Sequence, residues 1–339
     1  MMNVPSPPVM IAPLDRDEEA QWGRFLETAD HATVFHDLRF LAYHPPGRFR
    51  FHHLVARRAG EIVALLPGGF AADDERPMFV SPLGGSVGGP ALKPDLAAKD
   101  ILELVASFQN HARVQGWSGI EMTLPPAIYH ERASDILGFS LFFRGFRLTN
   151  RWLCPMIPLI PGRRDQYRGL FRGTYANRVR ANLRRGFSIV DGGVEQLENF
   201  LAVFRDTYER HGVSATHAPE EIADLLRRLP ERVRLHIALF HGEPVAGLLV
   251  FLINPRVAYT FYICMSAAYP RESGNVSAVA SLIDWLSERH YRWLDLGPTA
   301  RASSFNAGVT FFKEGLGAIG QCRDQWRWIA TDEVSAVAN

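Results

Sequence analysis

Lysine is nearly missing from this chain. Lys93, Lys99 and Lys313 are the only ones among 37 basic residues, and arginine supplies the rest. That scarcity argues against reading Lys313, in "TFFKEGLGAIG", as one of many solubilising surface lysines. Cysteine is scarce too: Cys154, Cys264 and Cys322 are an odd count at no metal-ligand spacing, which excludes a disulfide framework or zinc ribbon and predicts buried reduced thiols. No HExxH or CxxC occurs, so no metal is expected. No run approaches the roughly 18 apolar residues of a membrane helix, so no integral membrane segment is expected. The opening "MMNVPSPPVMIAPLDRDEEA" lacks a basic stretch followed by an apolar core, and the expected location is cytoplasmic. A net charge of +1 excludes a general polyanion-coating role, so local charge must carry any such function.

What is present is a soluble-enzyme composition, 47% hydrophobic and 22% charged, in 339 residues. That length predicts two domains of roughly 150 residues each. Two stretches read as hairpins, "FHHLVARRAGEIVALLPGGF" around Gly60 and "LHIALFHGEPVAGLLVFLI" around Gly242. Each is followed by a strand-like run ("MFVSPL", "AYTFYICM") and a glycine-containing loop ("GGSVGGP", "YPRESGN"). Helical patterns come next, Asp95 to Gln115 and Ser277 to His290, and then short strands, "GIEMTL" and "RWLDLG". The same order twice predicts a duplicated αβ unit. Pro155, Pro158 and Pro161 in "CPMIPLIPGRR" discourage helix or central strand, which puts the expected domains at residues 1–154 and 155–339.

Three segments have ligand-binding chemistry. "YPRESGN", with Ser273, Gly274 and Asn275, leads into a helix start whose free N–H groups suit phosphate, or simply require a cap. "SPLGGSVGGP", with Gly84 and Gly85, lets backbone approach a ligand closely, or is a plain loop. In Arg163 to Gly186, eight arginines accompany one aspartate, and Phe171, Tyr175, Val179 and Leu183 are expected to form an apolar stripe with Arg180 and Arg184 on the opposite side. Arginine forks suit phosphate and carboxylate. His211, in "YERHGVSATH", and Asp295, in "WLDLG", are lone polar candidates.

The ordered series "YANRVRANLRRGFSI", "FRDTYERHGVSATHAPE", "HIALFHGEPVAGLLVF", "SGNVSAVASLIDWLSERHYRWLDLGP" and "FFKEGLGA" resembles the FemAB-like branch of the GNAT acyltransferase superfamily. The resemblance covers most of Arg163 to Trp328, and the first glycine loop is similar to that family's as well. It implies an α/β (α+β) fold of two tandem GNAT-like domains, each with a central mixed sheet flanked by helices. The implied activity is transfer of an acyl or aminoacyl group from acyl-CoA or aminoacyl-tRNA to an amine on a small molecule or cell-envelope precursor. Some members use aminoacyl-tRNA to build peptidoglycan cross-bridges, which makes tRNA a candidate partner. The family's Phe-Lys pair near the phosphate-bearing ligand matches Phe312 and Lys313, giving Lys313 the role of a point charge for an anion or developing oxyanion. Asp295, Tyr262 or a water is the base, and strand-end N–H groups are the oxyanion donors. Arg178, Arg180 and His211 are expected to contact substrate. This chain lacks the long inserted helical hairpin of some Fem ligases, and Asn182 stands where the family often has alanine. A rival reading is a non-catalytic GNAT fold whose arginine helix binds RNA or an acidic glycan precursor.

Overall fold

A computed structural model describes residues 7–71, 75–211, 215–270, 273–301 and 304–330. The chain divides into two compact units, Met1–Arg151 with Arg323–Asn339, and Trp152–Cys322.

The first unit contains β1 (Val9–Pro13), α1 (Glu19–Leu26), α2 (Leu38–Leu41), β2 (Arg50–Phe51), β3 (Leu54–Arg58), β4 (Glu61–Leu66), β5 (Gly69–Phe70), β6 (Met78–Ser81), β7 (Ala91–Leu92), α3 (Ala98–Val114), β8 (Gly119–Thr123) and α4 (Ile136–Phe143). Its strands form two ladders. One is β1-β3-β4-β7, and the other runs β2-β5-β6-β8 and continues into the chain's last strand. Helix α3 buries Ile101, Leu104, Val105, Phe108 and Ala112, a three-and-four spacing that puts one face in the core. It starts at Ala98 because Asp95 is left-handed (φ 62°) and Ala97 is extended, with the Asp100 carboxylate accepting from the Ala97 N–H.

The second unit follows β9 (Arg147–Pro158), a strand that spans the division. It contains α5 (Tyr167–Leu170), α6 (Gly173–Arg184), β10 (Phe187–Gly192), α7 (Leu197–His211), α8 (Pro219–Arg228), β11 (Val233–Phe240), β12 (Glu243–Asn254), β13 (Val257–Met265), α9 (Gly274–Glu288), β14 (Trp293–Asp295), β15 (Ala300–Arg301), β16 (Ser304–Phe305) and α10 (Ala307–Gly315), and leads into β17 (Ile319–Ile329). Its sheet order is β10-β11-β12-β13-β14-β9. Helix α9 packs Val279, Leu282, Ile283 and Leu286 on one face of the sheet, each fully buried side chain contributing about 1.5–3 kcal/mol. Aromatic residues of α7 pack on Tyr262 of the sheet.

The duplication reaches down to register. Ala59–Gly60 and His241–Gly242 are two-residue turns with positive φ at both positions (50° and 86°, 52° and 89°), the geometry that matches strand twist. Next to the turns, Arg58 pairs with Glu61 and Phe240 with Glu243. Both hairpins then slip by one residue, between Ala56 and Arg57 and between Ala238 and Leu239. In each unit a helix then links two parallel strands, β6 to β8 through α3 and β13 to β14 through α9.

Three expectations need correction. The prolines do not exclude a strand: β9 runs through Pro155 and Pro158 and pairs with β14, because proline still offers its carbonyl, as Pro155 does to the Leu296 N–H at 3.0 Å. Leu183 is 61% exposed, and the buried positions of α6 are Ala176, Val179 and Asn182. Cys154 and Cys264 are buried thiols outside any disulfide, but Cys322 is exposed.

Candidate active site

Strands β13 and β14 run parallel for three residue pairs, Val257–Trp293 to Tyr259–Asp295. There β14 ends while β13 continues to Met265, so the two strands part. A parallel pair that parts leaves strand backbone facing an opening in the sheet. In β13 the register against β12 shifts beyond Thr260, leaving Phe261 as an extra residue. Phe261 and Tyr262 consequently lie against each other, ring centroids 4.8 Å apart.

Asp295 is fully buried at the end of β14. Its carboxylate accepts from the Gly297 N–H at 2.6 Å, and its carbonyl accepts from the Thr260 hydroxyl at 3.2 Å. Gly297 has φ 78°, and a Cβ there would meet the Tyr259 ring at 3.2 Å, so the turn admits glycine for both reasons. Lys313, 7% exposed on α10, donates to the Gly297 carbonyl at 2.9 Å and the Pro298 carbonyl at 3.4 Å. The lone lysine and the buried aspartate therefore meet at one glycine.

The glycines beside Lys313 are packing devices. A Cβ on Gly315 would lie 2.6 Å from the Tyr175 ring, and one on Gly317 2.6 Å from the Leu170 carbonyl, so α10 can seat against α5 and α6 only without those side chains. Phe312 packs on Tyr175 (6.0 Å), while exposed Phe311 carries the Arg172 guanidinium 3.7 Å above its ring.

Tyr262 lies on the α7 side of the sheet among Phe200, Phe204 and Tyr208. Burial first, and Tyr208 second, push its phenol well above the ordinary tyrosine range. It is therefore a neutral hydroxyl at neutral pH, suited to hold or donate a proton rather than to take one as phenolate. Its oxygen lies 2.8 Å from His217 Nδ1 and accepts from the His217 backbone N–H at 3.2 Å. His217 is buried against Phe261, 4.9 Å between ring centroids. It is the functional candidate that sequence reasoning missed, six residues after His211 in the same stretch, and a single histidine has no spacing that would mark it. His211 closes α7, and its side chain lies outside the described residues.

At the start of α9, Ser273 is left-handed (φ 46°) and its side chain makes no capping hydrogen bond. Gly274 is buried, and a Cβ there would stand 2.9 Å from the Val245 side chain, so the helix begins as close to β12 as backbone allows. Asn275 turns its own carbonyl oxygen to the Val276 N–H at 3.0 Å. Arg178 and Arg180 are exposed on α6, with Arg180 hydrogen-bonded to Asn177, while Asn182 is buried and donates to the Ser277 hydroxyl of α9 at 2.9 Å. Gly84 and Gly85 belong to the first unit. A Cβ on Gly84 would collide with the His44 ring, whose Nε2 lies 2.8 Å from the Gly84 carbonyl, and one on Gly85 would press on Phe35.

Residues 171–313 match the family model of the acetyltransferase (GNAT) domain. That match lies within the second unit, which is similar to GNAT acetyltransferase domains. No curated protein matches the chain by sequence. In fold, the chain is similar to FemX, with a TM-score of 0.74 at 12% identity over 95% of this chain and 97% of that one. It is also similar to the C-terminal domain of a putative lysylphosphatidylglycerol synthetase from Agrobacterium fabrum (TM-score 0.61, 14% identity, 92% of each chain). A third similar structure is a tandem GNAT protein from the clavulanic acid biosynthesis pathway (TM-score 0.54, 14% identity, 96% of this chain and 99% of that one). The chain thus shares its fold, over most of its length, with FemX and with a tandem GNAT protein. A GNAT domain takes an acyl-CoA-type donor. Among the described residues no group of His, Cys, Asp and Glu is arranged to hold a metal, and no helix is long and apolar enough to cross a membrane.

Proposed function

We propose that this chain is an N-acyltransferase that moves an acyl group from an acyl-CoA thioester to an amine, using the second unit. The observation that supports it most is the parting of β13 and β14 after Tyr259 and Asp295, with the α9 N-terminus following β13. A donor lying in that opening brings its phosphates to the amides of the first α9 turn, from Gly274, where the helix dipole favours negative charge. Its thioester then lies beside the β13 backbone.

The amine nitrogen attacks the thioester carbonyl, and β13 N–H groups stabilise the oxyanion. Asp295 and Lys313 fix the turn at Gly297, and Lys313 adds a positive charge beside it. The Tyr262 hydroxyl, held by His217 and protonated at neutral pH, supplies a proton to the departing thiolate, while the amine loses its proton to water.

The amine acceptor is a small molecule or an envelope precursor. Kinship in fold with FemX and with a lysylphosphatidylglycerol synthetase supports a second reading in which the donor is an aminoacyl-tRNA, and exposed Arg178, Arg180 and Arg184 on α6 are the side chains for an RNA backbone. Calorimetry with acetyl-CoA, followed by thiol release over a panel of amines, tests the proposal. Absence of acetyl-CoA binding together with retention of aminoacyl-tRNA would overturn the first reading in favour of the second.

A further inference from the structure

Helix α9 has 15 residues, so its far end lies about 22 Å from Gly274. At that end the second unit has a cavity of about 620 Å³, in the size range of small-molecule sites. Pro230 and Arg232 precede β11, Pro255 turns between β12 and β13, Trp285 and Arg289 end α9, and Tyr291 follows. None of these residues belongs to the donor opening.

Charge makes this cavity unusual. Among the described residues neither Arg232 nor Arg289 has a carboxylate at ion-pair distance, whereas Arg234 on the same wall is neutralised by Asp191 at 2.6 Å. The Arg289 guanidinium lies over the Trp285 ring, 3.9 Å from its centroid, and donates to the Trp285 carbonyl at 3.1 Å. Arg232 leans on the Leu252 carbonyl at 3.5 Å, a weak contact that leaves its fork available. Arg232 and Arg289 line the same cavity as Tyr291, whose hydroxyl is raised by burial and lowered by the two guanidiniums. Opposing them are exposed Glu231 on the rim and the negative end of the α9 dipole. Two unpaired guanidiniums outweigh that, since charge-assisted bonds to an oxyanion are about twice as strong as neutral ones.

We propose that this cavity is a second ligand site that takes a small organic oxyanion, a phosphate monoester or carboxylate carried on a compact apolar body. The head group sits between Arg232 and Arg289 beside the Tyr291 hydroxyl, and the body lies on Pro230, Leu252 and Pro255. Nothing in the chemistry of acyl transfer uses these residues.

Equilibrium dialysis of the full chain with 1-naphthyl phosphate, with and without saturating acetyl-CoA, tests this. The expected result is one probe per chain, retained with acetyl-CoA present, and weakened about tenfold by Arg232→Gln and by Arg289→Gln at unchanged melting temperature. Inorganic phosphate and 1-naphthol should each bind more weakly than the joined probe. Should a glutamine variant unfold, Arg289→Lys keeps the charge but not the fork and should bind with intermediate affinity. Displacement of the probe by acetyl-CoA, wild-type affinity in the arginine variants, or no saturable binding would overturn the proposal. The arginine variants decide it even if acetyl-CoA does not bind, so its failure is distinct from failure of the donor assignment.

Discussion

Asp295 and Lys313 hold Gly297 from its two sides, the carboxylate taking its N–H at 2.6 Å and the ammonium its carbonyl at 2.9 Å. Replacing Lys313 with methionine preserves the aliphatic stem and leaves the two carbonyls without their donor. Stability should fall by about 1–3 kcal/mol. Turnover should fall roughly a hundredfold, as for loss of one electrostatic donor. Lys313→Arg should rescue only part, because a planar fork does not replace a compact ammonium. Thermal unfolding and kcat, measured together, separate the outcomes: lowered stability at wild-type kcat makes Lys313 a purely structural residue.

Gly297→Ala tests the same turn from the backbone side. The left-handed φ of 78° and the Tyr259 ring at 3.2 Å both resist a methyl group, for about 1–2 kcal/mol of lost stability. If the turn borders the donor, KM for acetyl-CoA should rise by more than KM for the amine. Equal changes in both would detach the turn from the donor.

Tyr262→Phe removes the hydroxyl that the His217 ring and backbone share. The wild-type alkaline limb of kcat should lie above pH 10, since the phenol is raised by burial, and the phenylalanine variant should lose that limb along with most of its turnover. An unchanged pH profile in the variant would remove Tyr262 from proton transfer.

Acid should destabilise the protein in a definite window. Burial lowers His31, His36 and His236 to about 4 from an ordinary 6.5. The unfolded chain therefore binds more protons between those values. The stability these groups contribute is present above pH 6.5 and is lost as pH falls through 4. His36 keeps its Nε2 on the Gly89 carbonyl at 3.0 Å and its Nδ1 on the Thr33 hydroxyl at 2.9 Å, a pairing that suits the neutral ring. Denaturant midpoints measured from pH 7 to pH 4 should fall, and His36→Gln should flatten the slope. A pH-independent midpoint would contradict the assignment.

Arg180→Ala should raise KM and weaken its salt dependence without moving the melting temperature, because the side chain is exposed. Unchanged kinetics would make α6 an ordinary solvated face.

The repeated hairpin, strand, helix and strand were legible because each signal is local: alternation, a two-residue turn with glycine, and helical spacing. The apolar stripe of α6 was misread for a geometric reason. Phe171 precedes α6, and within the helix a stride of four residues advances 400°, so Tyr175, Val179 and Leu183 drift by about 40° per step until Leu183 leaves the buried face. The buried positions 176, 179 and 182 are spaced by three instead, and they carry polar Asn182 to Ser277 of α9. Proline misled at β9, since its lack of an N–H does not prevent its carbonyl from pairing. Lys313 and Asp295 stood out by scarcity and by position at a strand end. That both reach Gly297 depends on α10 folding back onto the β14 turn, which no local pattern records.

The ladder between β8 and the last strand joins Thr123 to Gln325 and Gly119 to Ile329, within a unit that otherwise ends at Arg151. On a ribosome, which delivers the chain from its N-terminus, the edge of β8 thus stays bare while the whole second unit is being made. The unit made first of the two is the one completed last, and until then the edge of β8 offers unpaired backbone to any other strand.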